Sequence, residues 1–124
     1  MASFTPAQLE YLSSQRLGRL ATVGEDGMPH VTPTSFRHNP ELDVIDVGGR
    51  GLAASKKYRD VAREGRAAIV IDDVEPPWKP RGIEIRGRAE TSPTGGEGSG
   101  GRGFDPEVIR IWPDRVRAWG IDDT

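Results

Sequence analysis

The chain predicts a mainly β fold, a small antiparallel barrel with helices packed outside it. Three observations carry that expectation. About seven short runs alternate or stay apolar as strands do, most of their connections are hairpin-like, and only two segments carry helix signals. Closing such strands into a barrel removes exposed edges. At 124 residues the chain makes one domain with a modest core.

The first helix is predicted over Pro6 to Ser14. Thr5 is its N-cap, Pro6 suits the first helical position and Gln8 completes a capping box. Phe4 and Leu9 stand where a hydrophobic staple stands. Leu17 to Val23 follows as a strand, ended by the turn Gly24-Glu25-Asp26-Gly27. Met28 to Arg37 returns as the second half of a hairpin. Pro33 has no amide hydrogen, so that strand is an edge or is bulged there. Val44 to Val47 is the next strand, after a turn at Asn39-Pro40.

Val47-Gly48-Gly49-Arg50-Gly51-Leu52-Ala53-Ala54-Ser55-Lys56-Lys57-Tyr58 is the most informative stretch. A strand runs out into glycines, and a helix then opens on two adjacent lysines. Cations in a first helical turn oppose the positive end of the helix dipole, at about 0.3–1 kcal/mol each when exposed. A bound phosphate reverses that sign, because helix N-terminal amides and lysines both favour an anion. Two simply solvated lysines are the alternative that the segment alone leaves open. The helical period puts Ala54, Tyr58, Val61 and Ala62 on one buried face. Lys56, Arg59, Asp60 and Arg63 fall opposite, and Ser55 and Lys57 lie on the flanks. Lys57 is therefore better placed than Lys56 to reach a groove beside the sheet.

Ala67 to Ile71 is a continuous apolar run, a strand buried on both faces. Pro76, Pro77 and Pro80 stiffen the loop that holds Trp78. Gly82 to Glu90 alternates, with Ile83, Ile85, Gly87 and Ala89 on one side and Glu84, Arg86, Arg88 and Glu90 on the other. Gly95 to Gly103 is low-complexity, and no structure is expected there, within a flexible glycine-rich loop at about 91–105. Val108 to Trp112 and Arg115 to Trp119 are the last strands.

Acidic residues outnumber basic ones 19 to 17, which argues against a general nucleic-acid binder. There is no cysteine, so thiolate catalysis and disulfides are excluded. With only His30 and His38, a His-rich metal site is not expected. The first residues contain no apolar run of signal or membrane-span length, which makes cytoplasmic residence, away from membranes, the expectation.

The motifs, in order, are Leu17-Gly18-Arg19-Leu20-Ala21-Thr22-Val23, Gly27-Met28-Pro29-His30-Val31, Ala54-Ser55-Lys56-Lys57-Tyr58-Arg59-Asp60-Val61 and Arg66-Ala67-Ala68-Ile69-Val70-Ile71-Asp72-Asp73. Trp78 to Gly87 and the tail Ile109 to Gly120 complete them. This series resembles the pyridoxamine 5′-phosphate oxidase-like split β-barrel superfamily, with an FMN-binding-like fold. Within it the chain is similar to the actinobacterial deazaflavin-dependent branch, whose members use coenzyme F420. The Ser-Lys-Lys-Tyr-Arg-Asp block and the Trp-Gly tail resemble a subgroup that includes reductases of late tetracycline-type biosynthesis. The resemblance implies a homodimer with cofactor grooves at the subunit interface. It implies that Ser55 and Lys57 contact the cofactor phosphate, with Lys56 and Arg50 as neighbours. It places Thr32, Pro33, Thr34 and Ser35 along the tricyclic ring, where backbone amides beside Pro33 favour the reduced, anionic ring. Val47, Gly48 and Gly49 then let the cofactor approach the backbone, and Trp78 comes from the partner subunit. The glycine-rich stretch departs from the family, whose members often carry ordered structure there.

Hydride transfer asks little of side chains beyond holding ring and substrate face to face. His30, Tyr58 and Asp72 are possible proton donors, and no spacing singles one out, so no catalytic residue is assigned. Trp112 and Trp119 read as core or interface packing, and Trp78 as either a ligand contact or an exposed ring. Arg81 beside Pro80 reads as a surface charge or as a holder of an acidic ligand tail, His38 as exposed, and Asp72-Asp73 as a solvated turn rather than a metal pair. The functional expectation is an F420-dependent reductase of an enone- or alkene-type small molecule, such as a tetracycline-type intermediate. An FMN-dependent oxidoreductase or flavin-binding protein, and a non-catalytic protein that stores the cofactor, are the alternatives.

Overall fold

Thr5 and Gln8 cap each other at the start of α1 (Pro6–Ser14): the Gln8 amide donates to Thr5 Oγ1 at 3.1 Å and the Thr5 amide to Gln8 Oε1 at 3.0 Å. Phe4 is buried and Leu9 packs against the same core, as a staple requires. The chain is described here from a computed structural model over residues 2–96 and 103–121. After α1 come β1 (Leu17–Val23), β2 (Pro29–Ser35), β3 (Arg37–Asn39) and β4 (Val44–Val47). A 3-10 turn at Leu52–Ala54 leads into α2 (Lys56–Glu64). Then follow β5 (Arg66–Glu75), β6 (Lys79–Ser92), β7 (Val108–Ile111) and β8 (Arg115–Trp119). The eight described strands exceed the expected seven by one, because Met28 to Arg37 is not a single strand. It breaks at the buried Phe36 into β2 and β3.

That break closes the barrel. Hydrogen bonding runs in the order β2-β1-β5-β6-β7-β4-β3, antiparallel throughout, with β8 also on β6. The two ends of this path, β2 and β3, are separated in sequence by Phe36 alone. The sheet must therefore curl until its ends meet, and the ends are joined by chain rather than by a ladder. β6 is the long spine: residues 79–88 pair with β5, 82–86 also with β8, and 89–92 with β7. The change from β7 to β8 is tight, since a Cβ on Gly87 would stand 2.2 Å from the Trp112 carbonyl oxygen. Only glycine fits that crossing. Both β5 and β6 extend beyond their expected bounds, because each supplies the other with a ladder of pairs from Arg66↔Arg88 to Glu75↔Lys79.

The core is aliphatic. Leu20, Ile45, Ile69, Ile71, Ile83 and Ile85 are almost wholly excluded from solvent. α2 closes this core with Val61 and, partly, Tyr58. The predicted stripe needs correcting. Ala54 precedes the helix and is exposed, Ala62 is exposed, and Asp60, expected on the solvent side, is 2% exposed. No helix among the described residues is long and apolar enough to cross a membrane.

The expected unstructured segment also needs correcting at its edges. Thr91 and Ser92 end β6, the Gly96 amide donates to the Pro106 carbonyl at 2.8 Å, and the Asp105 amide donates to the Gly49 carbonyl at 3.0 Å. Residues 97–102 lie outside the described residues.

Candidate functional site

α2 opens on the two lysines as predicted, and Ser55, expected on a helix flank, is its N-cap. Its hydroxyl donates to the Leu52 carbonyl at 2.6 Å and accepts from the Tyr58 amide at 3.3 Å. The first turn carries no acidic side chain, and the amides of Lys56 and Lys57 have no helical carbonyl to bond. The helix therefore presents an uncompensated positive end.

The two lysines have different fates. Lys56 Nζ lies 3.1 and 3.0 Å from the carboxylate oxygens of Asp60, one turn on. Asp60 also accepts from Thr22 on β1 at 3.0 Å and from Arg63 at 3.1 Å. Burial pushes the Asp60 carboxyl up, but hydrogen bonds from Lys56, Arg63 and Thr22 outweigh it and hold the group below the usual carboxylate range. Lys56 thus neutralises a buried acid. Lys57 is half-buried on the helix flank, and its ammonium makes no ion pair or side-chain hydrogen bond among the described residues.

β2 faces the same region. His30, Thr32 and Thr34 alternate along one face of this edge strand, opposite Thr22, Leu20 and Gly18 of β1. Thr22 reaches Asp60, so the face carrying His30, Thr32 and Thr34 is the one over which α2 lies. Three buried polar atoms on it have no hydrogen-bond partner among the described residues: His30 Nδ1, Thr32 Oγ1 and Thr34 Oγ1. Thr34 is 6% exposed. Leaving such a group unpaired costs about 1–3 kcal/mol, and a native structure carries few of them. Pro33 pairs with Arg19 at the end of the sheet path, the edge position its missing amide demands.

The exit from β4 completes a trough. The register Arg37↔Asp46 puts the end of β4 beside the corner where β2 passes into β3. Val47 and Gly48 are buried, so Val47 offers its backbone and not its side chain. Beside Gly49 nothing lies within 4 Å of where a Cβ would stand. Arg50 is exposed, next to Gly103. The trough is the space these elements bound: Thr32, Thr34 and Ser35 lie along β2, Val47, Gly48 and Gly49 at the exit from β4 beside the β2–β3 corner, and Ser55 and Lys57 at the start of α2, which packs on the same face of β1, with Pro33 on the opposite face of β2. A phosphorylated ring cofactor fits this donor set: an unpaired ammonium and free helix amides at one end, unpaired hydroxyls along the side, and open space beside a glycine.

Trp78 stands away from the α2 end of that set within one protomer. It is 75% exposed at the β5–β6 turn. That turn lies past the Leu17–Ser35 end of β1 and β2, whereas Lys56 stands against Gly24 at the other end of β1. Seven strand residues separate the two ends, roughly 23 Å.

Three further sequence readings change. Asp72 and Asp73 belong to β5, where Asp72 pairs with Arg19 and Asp73 with Arg81, so neither is a solvated turn. Arg81 is held at its acid by two hydrogen bonds, of 2.8 and 3.0 Å, and is no loose surface charge. His38 is half-buried: it contacts Asp43 at 2.8 Å and meets the Phe4 ring edge-on. Trp119 lies over Gly82 and remains 37% exposed, while Trp112 is half-buried beneath the Arg88 guanidinium.

Comparison with known proteins agrees with this architecture. The chain is 43% identical over 121 residues to a 5a,11a-dehydrotetracycline/5a,11a-dehydrooxytetracycline reductase of Streptomyces rimosus, covering 96% of this chain and 84% of that one. A conserved hypothetical protein from Mycobacterium tuberculosis superimposes with a TM-score of 0.73 at 22% identity, over 94% of this chain and 84% of its own. An FAD binding protein from Mycobacterium smegmatis superimposes with a TM-score of 0.69 at 16% identity, over 94% and 98%. These two likenesses concern the fold. The family model described as pyridoxamine 5′-phosphate oxidase matches residues 4–120. A split barrel closed at Phe36, with its trough between β2 and α2, is thus the form taken here by a member of the pyridoxamine 5′-phosphate oxidase family, to which this chain belongs.

Proposed function

We propose that this chain is a reductase that uses coenzyme F420 and delivers a hydride to an electron-poor alkene or enone of a tetracycline-type polyketide. The observation that carries the reading is its 43% identity, over 96% of its length, to a protein named as a dehydrotetracycline reductase. The trough supports it, because it offers what a phosphorylated ring cofactor needs and leaves those groups otherwise unpaired.

In this reading Lys57, with the amides at the start of α2 and the Ser55 hydroxyl, holds the phosphate. Arg50 lies beside it, and Lys56 keeps Asp60 neutralised. Thr32 and Thr34 bond polar atoms of the ring system, and the Thr32–Ser35 backbone lies along it. Reduced F420 supplies the hydride when bound. The protein's share is to orient ring and substrate and to exclude water. The alkene takes the hydride on one carbon and a proton on the other, so two electrons and one proton reach the substrate with the hydrogen nucleus of the hydride.

The active form in this proposal is a homodimer. Met28 and Val31, near the β1–β2 turn, are 64% and 66% exposed, and Leu17, at the other end of β1, is 55% exposed, so apolar side chains stand open to a partner along this hairpin. In this proposal a second copy brings its Trp78 to the trough.

Parallel titrations with F420 and with FMN, read by tryptophan fluorescence, test the cofactor. F420 is expected to bind more tightly, and mixing the reduced form with a dehydrotetracycline-type enone is expected to oxidise it. Preferential FMN binding would replace the cofactor assignment. Tight F420 binding without turnover of any enone would make the protein a carrier rather than a reductase.

A further inference from the structure

We propose that Asp105 is a positioning residue for the anion-binding turn: its carboxylate fixes Gly51 in the conformation from which α2 is launched. This inference rests on the reading of the trough as a phosphate site.

The β4–β7 ladder pairs Ile45 with Ile111, Asp46 with Arg110 and Val47 with Ile109. Carried past Val47, the same register brings Gly49 and Gly51 alongside Glu107 and Asp105. The bond that forms is two residues out of that register: the Asp105 amide donates to the Gly49 carbonyl at 3.0 Å, so the ladder has already broken where the chain turns. Gly51 has left the strand, with φ at +65° in the left-handed region that favours glycine. Its amide has turned away from the ladder, and the Asp105 carboxylate takes it at 2.7 Å. This is a charge-assisted bond of the strong kind. Asp105 thus grips the turn twice, once by its backbone and once by its side chain.

Everything that follows hangs from Gly51. It is the N-cap of the 3-10 turn and receives no side-chain cap bond there. Its carbonyl accepts from the Ala54 amide at 3.1 Å, and the Leu52 carbonyl accepts from the Ser55 amide at 2.9 Å. Ser55 then caps α2. The direction of Gly51 therefore sets where Ser55 and Lys57 stand. No feature near Asp105 in the sequence signals this, since its partners are 54 and 56 positions away.

A carboxylate close to an anion site invites the opposite reading, in which it acts only by repelling the ligand. The two roles differ in sign. Asparagine at this position keeps an acceptor for the Gly51 amide and removes the charge, and alanine removes both. Positioning requires Asp105→Ala to weaken F420 binding about ten-fold, with Asp105→Asn binding at least as tightly as the parent chain. With reduced F420 as the varied reactant, KM of Asp105→Ala rises and kcat stays. Equal tightening in both variants would mean that the charge alone acts, and would overturn the inference. Lys57→Ala is measured alongside. If Lys57→Ala is weakened and Asp105→Ala is not, the inference fails and the phosphate reading stands. If Lys57→Ala binds like the parent, both fail.

Discussion

At the hairpin end of the barrel, Tyr11, Asp73 and Arg81 consume one another's hydrogen-bonding capacity. The Tyr11 hydroxyl donates to Asp73 at 2.8 Å, Arg81 grips the same carboxylate with two nitrogens, and its guanidinium lies 5.0 Å above the Tyr11 ring. Hydrogen bonding from Arg81, then from Tyr11, holds Asp73 well below the usual carboxylate range against the opposing effect of burial. Burial, helped by Asp73, pushes the Tyr11 phenol well up. At the trough the inventory is similar, with hydroxyls, a cation and backbone amides, yet the side chains of Thr32, Thr34 and Lys57 have no partners among the described residues. A clamp that joins α1 to β5 and β6 closes its own bonds. The proposed ligand site keeps some back, at a cost of about 1–3 kcal/mol per buried group. Saturation, more than residue type, separates structure from function here.

Substitutions probe that contrast from both sides. The largest effect is expected in a second saturated set, on β3, β4 and β7, where fully buried Asp46 accepts from Arg110 at 2.9 and 3.2 Å and from Asn39 at 2.9 Å. Asp46→Ala strands a buried guanidinium and is expected to lower unfolding free energy by about 3–5 kcal/mol in urea titration. F420 affinity of the folded protein should stay unchanged. Lys57→Ala is expected to do the reverse, with affinity falling about ten-fold or more and the melting temperature unmoved.

Thr34→Val gives a smaller effect with two signs. Removing an unpaired buried hydroxyl is expected to stabilise the ligand-free protein by about 1 kcal/mol while weakening F420 binding several-fold. Lower stability in the variant would mean that the hydroxyl already has a partner, and would remove the contrast.

Acid titration yields the most gradual response. Asp43, Asp60 and Asp73 all have folded-state pKa values below their ordinary ones. The stability they contribute is complete above the unfolded value of about 4 and is lost as pH falls through their folded values. Unfolding free energy should therefore be flat near neutrality and decline below about pH 4. Asp73→Asn should flatten that decline without touching affinity at pH 7.

The legible parts of the fold are those with local causes. α1, β1, β4 and β8 have the predicted bounds, because caps, turns and alternation sit within each segment. The break at Phe36 escaped notice because barrel closure causes it, and no residue near it signals closure. Asp60 was read as exposed from helical period alone. Its burial depends on Thr22, 38 positions away. Asp73 depends in the same way on Tyr11, 62 positions away. In the trough, the separation of Lys57 from Lys56 followed from spacing, whereas the Ser55 cap did not, because the helical stripe extended back to Ala54. The unpaired threonines did not, since an unmet hydrogen bond becomes visible only when every neighbour has been placed.

The central claim is that the unsaturated trough, and not the saturated clamp, receives the ligand. Following backbone amide resonances by two-dimensional NMR during F420 titration tests it most directly. The account expects saturable shifts at Thr32, Thr34, Gly49, Gly51 and Lys57, with Tyr11, Asp73 and Arg81 unmoved. Shifts confined to the residues around Tyr11 and Arg81, with the trough silent at saturation, would contradict it.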